Sequence, residues 1–448
     1  MESPLIFYYK SYCMTTNNKK LTSRFFILIH LFLAAGISIS NPIAAQGTTQ
    51  KNQSTPLQNP CFLFLSDIHL NTTSDTSAYG TDTGMELWAN FLRKADSILG
   101  GDNAPKFVVY TGDLPAHYRC DPSCYLAPDE RALHNQNLTV ILTGLRNLSG
   151  KHNIPLFYLP GNNDGLSGDY FSFADSLQQT CFSLVPDSTN SYPALNIVQG
   201  TRQAPCIVSN PHPTLGFYSV MPVKGLRLIA LNTVIYVSGF KPVDGTNQLT
   251  DGNTQMAWLA AQLADTKAKN EKVYIAMHVP PGMNAYTNNS MWVKLPGQKI
   301  SWLNSFLSLT TKYQATIAGI LYGHTHMDEL RRLYDPTGKR ITEVAISCPG
   351  ITPHHNNNPG FKTVTYDAIS KELMDFTTYY TTPVSTSWGN NRYTFSSVFN
   401  NKTGKSIFQQ LSGMTHTTIT NSMNNIFTVK NGPPTYSIQN GIEVKQGQ

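Results

Sequence analysis

Five short apolar segments of this sequence are each followed by residues that can bind a metal ion. Their lengths and compositions are those of buried strands, and they cover residues 61–65, 107–110, 156–159, 273–277 and 317–322. The side chains that follow them are Asp67, His69, Asp113, Asn162, His278, His324 and His326. Amphipathic segments at 85–99 and 254–269 predict helices, with Asn253 as the N-cap of the second. Strands that alternate with helices predict an α/β fold.

The ends of these strands are where we expect a binding site, because ligands of open α/β sheets lie beyond the carboxyl ends of the strands. A single Asp at such an end often caps a helix, and a lone His is more often a hydrogen-bonded core residue. Five strand ends that all carry such residues are more than helix capping requires, which favours a shared binding site. Alternate residues of an extended segment point to the same side, so Asp67 with His69, and His324 with His326, are predicted to converge. Their oxygen and nitrogen donors suit Zn²⁺, Mn²⁺ or Fe.

The longer blocks around these residues carry a family resemblance. The order DxH, GD, GN, H and GHxH resembles the calcineurin-like metallophosphoesterase superfamily from residue 61 to about residue 367. Several blocks are similar to the acid sphingomyelinase and sphingomyelinase-like phosphodiesterase branch, namely GDLPAH at 112–117, MHVPPG at 277–282, GHTHMD at 323–328, ITP at 351–353 and NPGF at 358–361. The resemblance implies an α/β fold in which a β-sandwich is flanked by helices, in four layers ordered αββα.

The same resemblance implies a pair of divalent metal ions, with zinc expected first and manganese or iron as alternatives. One ion would be held by Asp67, His69, Asp113 and His326. The other would be held by Asp113, Asn162, His278 and His324, with the Asp113 carboxylate bridging the two. Such a pair lowers the pKa of a shared water and clamps a phosphoryl oxygen, so that a metal-bridging hydroxide attacks phosphorus in line.

Two further positions bear on the proton that the leaving group needs. The family usually has His after the Asn of its GN block, whereas this chain has Asn163, which can hydrogen-bond a phosphoryl oxygen but carries no titratable proton. The sphingomyelinase-like branch places His117 near the metals, so His117 is assigned as the general acid. The alternative is that His117 only orients a metal ligand. His354 and His355 are predicted to line the substrate pocket, with a solvated turn as the alternative.

The predicted function is that of a metal-dependent phosphoric diester hydrolase acting on a nucleotide-type or other small soluble phosphodiester. A sphingomyelinase-type lipid phosphodiesterase and a phosphomonoesterase are the enzymatic alternatives. The lipid-cleaving member of the family carries a Cys-rich saposin-like domain ahead of its catalytic core. In this sequence only the linker at 46–60 lies between the predicted cleavage site and the predicted catalytic domain. This difference favours a soluble substrate. A metal-containing protein that binds without turnover is a third hypothesis, but such a chain has little reason to retain all seven ligand-type residues.

The first 45 residues have the order of a secretory signal. Its parts are the basic residues Lys19, Lys20 and Arg24, the apolar run 25–39, and the small residues Ala44 and Ala45. A membrane anchor is the alternative, but a spanning helix needs roughly 18 or more apolar residues, and this run is shorter. We therefore expect a secreted protein, extracellular or periplasmic, with no transmembrane anchor after cleavage.

Export changes the interpretation of the cysteines. Cys13 lies in the signal, and six cysteines follow it, so disulfides are favoured in an oxidising compartment. The pairs closest in sequence are Cys120 with Cys124 and Cys181 with Cys206. A cysteine zinc site is the alternative, but no paired CxxC spacing supports it.

Charge and composition complete the domain prediction. The net charge of +6 comes from scattered Lys and Arg, without a basic stripe interleaved with aromatic residues, so no binding of nucleic-acid polymers is expected. The predicted organisation is a signal at 1–45, a polar linker at 46–60, a catalytic domain at 61–369, and a small helix-leaning C-terminal subdomain at 370–448.

Overall fold

The computed structural model describes residues 59–118, 128–176, 180, 207–243, 245–285, 287–433, 437–438 and 440–448. Its strands are β1 (Cys61–Leu65), β2 (Val108–Tyr110), β3 (Leu156–Tyr158), β4 (Ile207–His212), β5 (Phe217–Val223), β6 (Leu226–Leu231), β7 (Lys272–Met277), β8 (Ile317–Tyr322), β9 (Leu330–Tyr334), β10 (Ile341–Ser347), β11 (Gly360–Tyr366), β12 (Leu373–Tyr380), β13 (Arg392–Thr394) and β14 (Glu443–Val444). Its α-helices are α1 (Met85–Leu99), α2 (Pro128–His152), α3 (Gln248–Ala268), α4 (Trp302–Lys312), α5 (Phe395–Val398), α6 (Ile407–Ser412) and α7 (His416–Asn424).

The strands form two sheets. Sheet I has the order β13-β12-β11-β1-β2-β3, and sheet II has the order β14-β9-β10-β8-β7-β6-β5-β4. In sheet I, β1, β2 and β3 are parallel neighbours. In sheet II, β6, β7, β8 and β10 are parallel neighbours. Five of the predicted strand ends therefore lie at the carboxyl edges of two parallel arrays, β1 to β3 in one sheet and β7 with β8 in the other.

Alternation of side chains along the strands sets the order of the layers. Tyr274 of β7 packs against Phe62 of β1, with ring centroids 5.7 Å apart, and so joins the two sheets. Its strand neighbours Val273 and Ile275 belong instead to the core that sheet II shares with α3 and α4. Phe91 of α1 meets a ring of β11 on the outer face of sheet I. The order is helices, sheet I, sheet II, helices, which confirms the predicted four-layer αββα architecture.

Two helices test how well periodicity locates helix ends. Helix α1 has the predicted bounds, because its apolar residues repeat at helical spacing up to Gly100. Helix α3 starts earlier than predicted, since the side chain of Asn247 accepts a hydrogen bond from the Thr250 amide and forms the N-cap. The assignment of Asn253 as the N-cap is therefore wrong. Asn253 lies inside the helix, and its side-chain oxygen accepts from the Trp302 indole N–H at 3.0 Å.

The C-terminal segment contributes to both sheets. Residues 370–448 contain α5, α6 and α7, but they also add β12 and β13 to sheet I and β14 to sheet II. The chain from Leu57 onward forms one compact unit. The boundary at residue 369 stays a prediction. The predicted signal and most of the linker lie outside the described residues.

The described cysteines and helices bear on two further predictions. Cys61 and Cys348 are buried free thiols, so the preference for disulfides among the six cysteines does not hold for these two. Their sulfurs donate instead to the Asn103 and Phe64 carbonyls. The remaining four cysteines, with the two predicted pairs, lie outside the described residues. Among the helices that the structure describes, none has the length and apolar character needed to span a bilayer.

Candidate metal centre

The seven predicted ligand residues converge at the carboxyl edge of the two sheets. Asp67 and His69 follow β1, Asp113 follows β2, and Asn162 follows β3. The remaining three are His278 after β7 and His324 and His326 after β8. Two groups of three residues each place their donor atoms within 4.8 Å of one another. One group is Asp67, His69 and Asp113, and the other is Asp113, His278 and His324.

Asp113 lies at the centre of this cluster and belongs to both sets. Its Oδ2 is 3.3 Å from His69 Nε2 and 3.2 Å from His278 Nε2. Asn163 donates to the same carboxylate twice, from its backbone amide to Oδ1 at 2.8 Å and from its side chain to Oδ2 at 3.0 Å. The structure thus places Asn163 against the central carboxylate.

The outer donors close the cluster on either side. Asp67 Oδ1 lies 3.4 Å from His326 Nε2, and its Oδ2 accepts from the His324 backbone amide at 3.0 Å. Asn162 Oδ1 is 3.0 Å from His278 Nε2 and 2.9 Å from His324 Nδ1. Each of the seven side chains therefore touches at least one other member of the cluster.

The backbone at these positions differs from the expected extended conformation. Asp67 has φ 48°, His69 has φ 44°, Asp113 has φ 62°, His324 has φ 73° and His326 has φ 60°. Asp67 with His69, and His324 with His326, therefore do not converge through an extended segment, and that prediction is wrong. Left-handed residues turn the chain sharply after β1, β2 and β8, and these turns aim the donors there inward. Such conformations cost about 1–3 kcal/mol each and are found mainly at functional sites.

One buried carboxylate joins the turn after β2 to the turn after β3. Asp164 accepts hydrogen bonds from the backbone amides of Asp113, Leu114 and Gly161 at 2.7–2.9 Å, and from the Tyr158 hydroxyl at 2.5 Å. Burial and the nearby Asp113 charge raise the pKa of Asp164. Sequence reasoning assigned no role to Asp164, because its partners in the turn after β2 are about 50 residues away.

The charges of the cluster shift the pKa values of its members in opposite directions. Burial acts to raise the pKa of Asp113, but the imidazoles of His278 and His69 outweigh it and hold that pKa well below its usual range. Burial acts to lower the pKa of His278, but the carboxylates of Asp113 and Asp67 raise it to about 9. Burial and the His278 charge lower the pKa of His324 to about 3.

The donor set fits divalent metal ions. Nδ1 of His69 lies 3.0 Å from the Pro115 carbonyl, and Nδ1 of His278 lies 2.6 Å from the Thr111 carbonyl. A proton on each Nδ1 satisfies these carbonyls and leaves the Nε2 lone pair facing the carboxylates, which is the usual orientation of a metal-bound imidazole. His69 Nε2 is buried without a hydrogen-bond partner among the described residues. Carboxylate, amide and imidazole donors around two buried acids suit Zn²⁺, Mn²⁺ or Fe.

His117 lies beside the cluster rather than within it. Its ring stacks on that of His69 on one side and on that of His354 on the other, with centroids 3.9 Å apart in each case. Asp82 holds His117 at two points, through Oδ1 to ring Nδ1 at 2.7 Å and through Oδ2 to the backbone amide at 2.9 Å. Burial and the His69 charge lower the pKa of His117 to about 4, against the opposing effect of Asp82.

The two histidines that were predicted to line the pocket lie on the same side as His117. His354 Nδ1 is 3.5 Å from Asp82 Oδ1, and the His355 ring lies 4.6 Å from that of His326. The structure therefore adds Asp82 to this group, and sequence reasoning missed it because it lies in a loop before α1, 35 residues from His117. Asp169 was missed in the same way and accepts from the Asn162 side chain at 2.8 Å.

A cavity of about 260 Å³ opens beside His324 on the other side of the cluster. Its described lining is made mainly of uncharged polar and small residues, which are Tyr170, Val237, Ser238, Gly239, Val279, Asn284, Thr287, Asn289, Ser290, Met291 and His324. Tyr170 meets the His324 ring edge-on at 6.5 Å between centroids. The cavity is adjacent to the cluster and large enough for part of a small substrate.

Several known proteins are similar to this chain in sequence or in shape. The chain is 29% identical to sphingomyelinase phosphodiesterase D of Dictyostelium discoideum, over 70% of this chain and 64% of that protein. It is 29% identical to the cyclic GMP-AMP phosphodiesterase SMPDL3A of Mus musculus, over 64% of this chain and 60% of that protein. The chain thus spans less than two thirds of the length of either relative. A dimetal phosphatase from Danio rerio aligns with 75% of the chain and 98% of its own length, at 15% identity and a TM-score of 0.45.

The family itself follows from a longer match. Residues 62–328 match the calcineurin-like phosphoesterase family. That segment is more than half of the 448 residues and contains all seven residues of the cluster. The recognition made from the DxH, GD, GN, H and GHxH order is confirmed. The chain belongs to the calcineurin-like phosphoesterase family.

Proposed function

We propose that this protein is a secreted, binuclear-metal phosphodiesterase that hydrolyses a small soluble phosphodiester. The observation that carries the proposal is the position of Asp113, whose carboxylate faces His69 on one side and His278 on the other. Two metal sites that share one carboxylate are the arrangement that activates water and binds phosphoryl oxygens in such hydrolases. Both relatives named above are called phosphodiesterases.

Each residue of the cluster has a proposed place. Asp67, His69, Asp113 and His326 would hold one divalent ion, and Asp113, Asn162, His278 and His324 would hold the other. The chemistry that such ions supply is a lowered pKa for water and neutralisation of charge on phosphoryl oxygens. Asp164 fixes the turns that carry Asp113 and Asn162, and the Pro115 and Thr111 carbonyls fix the imidazole tautomers.

His117 is proposed as the group that protonates the leaving oxygen. Its Nδ1 is engaged by Asp82, so its Nε2 is the atom available to substrate. Stacking between His69 and His354 holds the ring in one plane next to the cluster. Asn163 donates to Asp113, and we propose that it orients this carboxylate rather than transferring a proton.

The cavity beside His324 supports a soluble substrate. Hydroxyl and amide groups predominate in its described polar lining, and these recognise sugar or base edges by hydrogen bonds. A choline headgroup is recognised by cages of several aromatic rings, and Tyr170 is the one ring in the described lining apart from His324. A nucleotide-type phosphodiester therefore suits the cavity better than sphingomyelin. Sphingomyelin remains the second candidate because one relative is named a sphingomyelinase phosphodiesterase.

Metal analysis with one variant tests the centre. The purified protein should hold about two divalent ions per chain. The Asp113→Asn variant should hold about one ion fewer, and it should also lose nearly all phosphodiesterase activity. Asp96→Asn, which alters a surface carboxylate of α1, is the matched control and should change neither value. Full turnover of bis-(p-nitrophenyl) phosphate by Asp113→Asn would refute the two-metal assignment.

A substrate panel tests the ranking of the candidates. Dinucleotides and nucleotide esters should be cleaved without detergent or vesicles, and sphingomyelin in plain vesicles should be cleaved slowly by comparison. A p-nitrophenyl monoester belongs in the same panel to measure phosphomonoesterase activity. Rapid cleavage of vesicular sphingomyelin with no cleavage of any nucleotide would reverse the ranking.

A further inference from the structure

A second cavity, of about 310 Å³, lies at the opposite end of the parallel strands from the metal centre. It is formed by the amino-terminal halves of β8 and β10, the turn before β8, the start of β12 and the start of α6. The metal-centre histidines of β8 follow its carboxyl end, so the two cavities are separated by the length of that strand. Its volume lies at the lower end of the range for ligand pockets, which is about 300–1,000 Å³.

Glu343 of β10 lines this cavity and is 5% exposed. Its Oε1 is buried and has no hydrogen-bond partner among the residues that the structure describes. A carboxyl group without a partner is costly to bury, and native structures seldom retain one without a functional reason. Burial, reinforced by the Glu372 charge, raises the pKa of Glu343 well above its usual range, although Lys272 opposes this. Burial therefore favours the neutral carboxyl, and a cation placed beside it would favour the ionised form.

Two cations donate hydrogen bonds to residues of the cavity lining rather than to its carboxyl groups. Lys272 Nζ donates to the Ala315 carbonyl at 2.6 Å. Arg340 donates to the Gln314 side chain at 2.5 Å. A second carboxylate, Glu372, also lines the cavity. Neither cation donates to Glu343 Oε1, which stays without a hydrogen-bond partner among the described residues, and the cavity favours a positively charged guest.

The remaining walls exclude a bare metal ion as that guest. They are largely apolar, with Ile317, Val344, Leu373, Ile407 and Phe408 around the two carboxylates. Ca²⁺ takes six to eight oxygen ligands, and Mg²⁺ takes six in an octahedron. An apolar wall next to a buried carboxylate instead complements an organic cation, which has a charged nitrogen at one end and a hydrocarbon body.

We propose that this cavity binds a small organic ammonium ion, whose nitrogen pairs with Glu343 and whose hydrocarbon body packs on Leu373, Ile407 and Phe408. The assignment is independent of the metal centre and of the substrate proposed for it. The charged hydrogen bond to Glu343 gives specificity for the cation, and the apolar wall limits the length of its body.

Isothermal titration of the full chain with n-hexylammonium chloride at pH 7 tests this assignment. We expect saturable binding at one site per chain, with 1-hexanol and hexanoate each at least 10-fold weaker. Glu343→Gln, which keeps the shape and removes the charge, should weaken ammonium binding at least 10-fold. Glu86→Gln, on the exposed first turn of α1, is the matched control and should bind like the parent. Far-UV circular dichroism and urea unfolding report that each variant is folded.

The outcomes separate clearly. Absence of saturable ammonium binding to the parent protein overturns the proposal. Equal binding of hexanol and hexylammonium, or equal binding by Glu343→Gln, overturns it as well, because the carboxylate then plays no part. Should Glu343→Gln fail to fold, Ala318→Leu, which fills the cavity and leaves the carboxylate in place, must abolish the binding heat. Retention of that heat also overturns the proposal.

Discussion

The Asp82–His117 pair is the feature of this centre that a single substitution can test most directly. Asp82 binds both the ring and the backbone of His117, so it fixes the tautomer and the position of the ring together. The same acid–imidazole contact occurs far from the centre, where His152 of α2 lies 2.7 Å from Asp96 of α1. The chain therefore contains a natural control for the loss of such a pair.

Leaving-group dependence is the expected signature of His117. His117→Ala should slow esters with an alkoxide leaving group by about 10²–10⁴-fold, because a general acid contributes about that much. Esters with a p-nitrophenolate leaving group need no proton and should be affected far less. Asp82→Asn should lower kcat on alkoxide esters with little change in KM, and His152→Ala should change neither. Equal slowing of both ester types by His117→Ala would show that His117 acts through the metals or through binding.

A different histidine should control stability at mildly acidic pH. His134 of α2 is fully buried, and both ring nitrogens lack a partner among the described residues. Burial and the Arg131 charge lower its pKa to about 4, whereas an unfolded His titrates near about 6.5. Between these values the unfolded chain binds a proton that the folded chain does not, so the free energy of unfolding falls as the pH decreases.

Urea unfolding at two pH values measures this effect. Between pH 7 and pH 5 the free energy of unfolding of the parent protein should fall by about 2 kcal/mol more than that of His134→Leu. The full difference, about 3 kcal/mol, should be reached near pH 4. Identical pH dependence of the two proteins would show that His134 is protonated as readily in the folded chain as in the unfolded chain.

At the level of elements, the close approach of two strand-end turns decides the geometry of the centre. Gly161 follows β3 and Gly112 follows β2, and the two glycines pack against each other. A Cβ on Gly161 would lie 2.2 Å from Asp113 Oδ1 and 2.5 Å from the Asp113 amide nitrogen. No real atoms tolerate these separations, so any side chain at position 161 must displace Asp113.

Gly161→Ala should therefore lose metal as well as stability. We expect its metal content to drop below that of the parent, and its free energy of unfolding to fall by about 1–3 kcal/mol, the usual cost of overpacking. Gly101→Ala is the control, because a Cβ there would make only ordinary contacts at 3.5 Å. Full metal content in Gly161→Ala would show that the turn can shift without moving Asp113.

In the molecule as a whole, one buried ion pair connects the two sheets behind the centre. Lys362 of β11 donates to Asp328 at 2.5 Å and to the Ser347 carbonyl at 2.7 Å. Asp328 also accepts from the hydroxyls of Thr378 and Tyr393 on β12 and β13. Sheet I thus supplies three donors to an acid that lies two residues after His326.

Removal of one partner should be much more harmful than removal of a surface charge. Lys362→Met leaves Asp328 buried without its counter-ion, and loss of one partner of a buried pair costs about 3–5 kcal/mol. Lys339→Met, at an exposed position in the β9–β10 turn, should lie within about 0.5 kcal/mol of the parent. Urea unfolding at pH 7 compares the two. A cost below about 1 kcal/mol for Lys362→Met would mean that the sheets are held by apolar packing alone.

The sequence alone determined the parts that depend on local pattern. Apolar runs located the strands that carry the centre, and helical periodicity located α1, because burial selects apolar side chains wherever a segment faces a core. The seven clustered residues were identifiable because each directly follows such a strand.

Only the tertiary structure decided what depends on contacts between distant segments. The left-handed turns at Asp67 and His324, the Asp82–His117 pair and the amide contacts of Asp164 each need partners from other loops. The start of α3 was misjudged because two asparagines are equally good caps in sequence, and Asn253 is held in the helix by its contact with Trp302. A strand can be recognised from the pattern of its own side chains. The turn that orients a metal-binding side chain is instead stabilised by hydrogen bonds to residues that the local sequence does not contain.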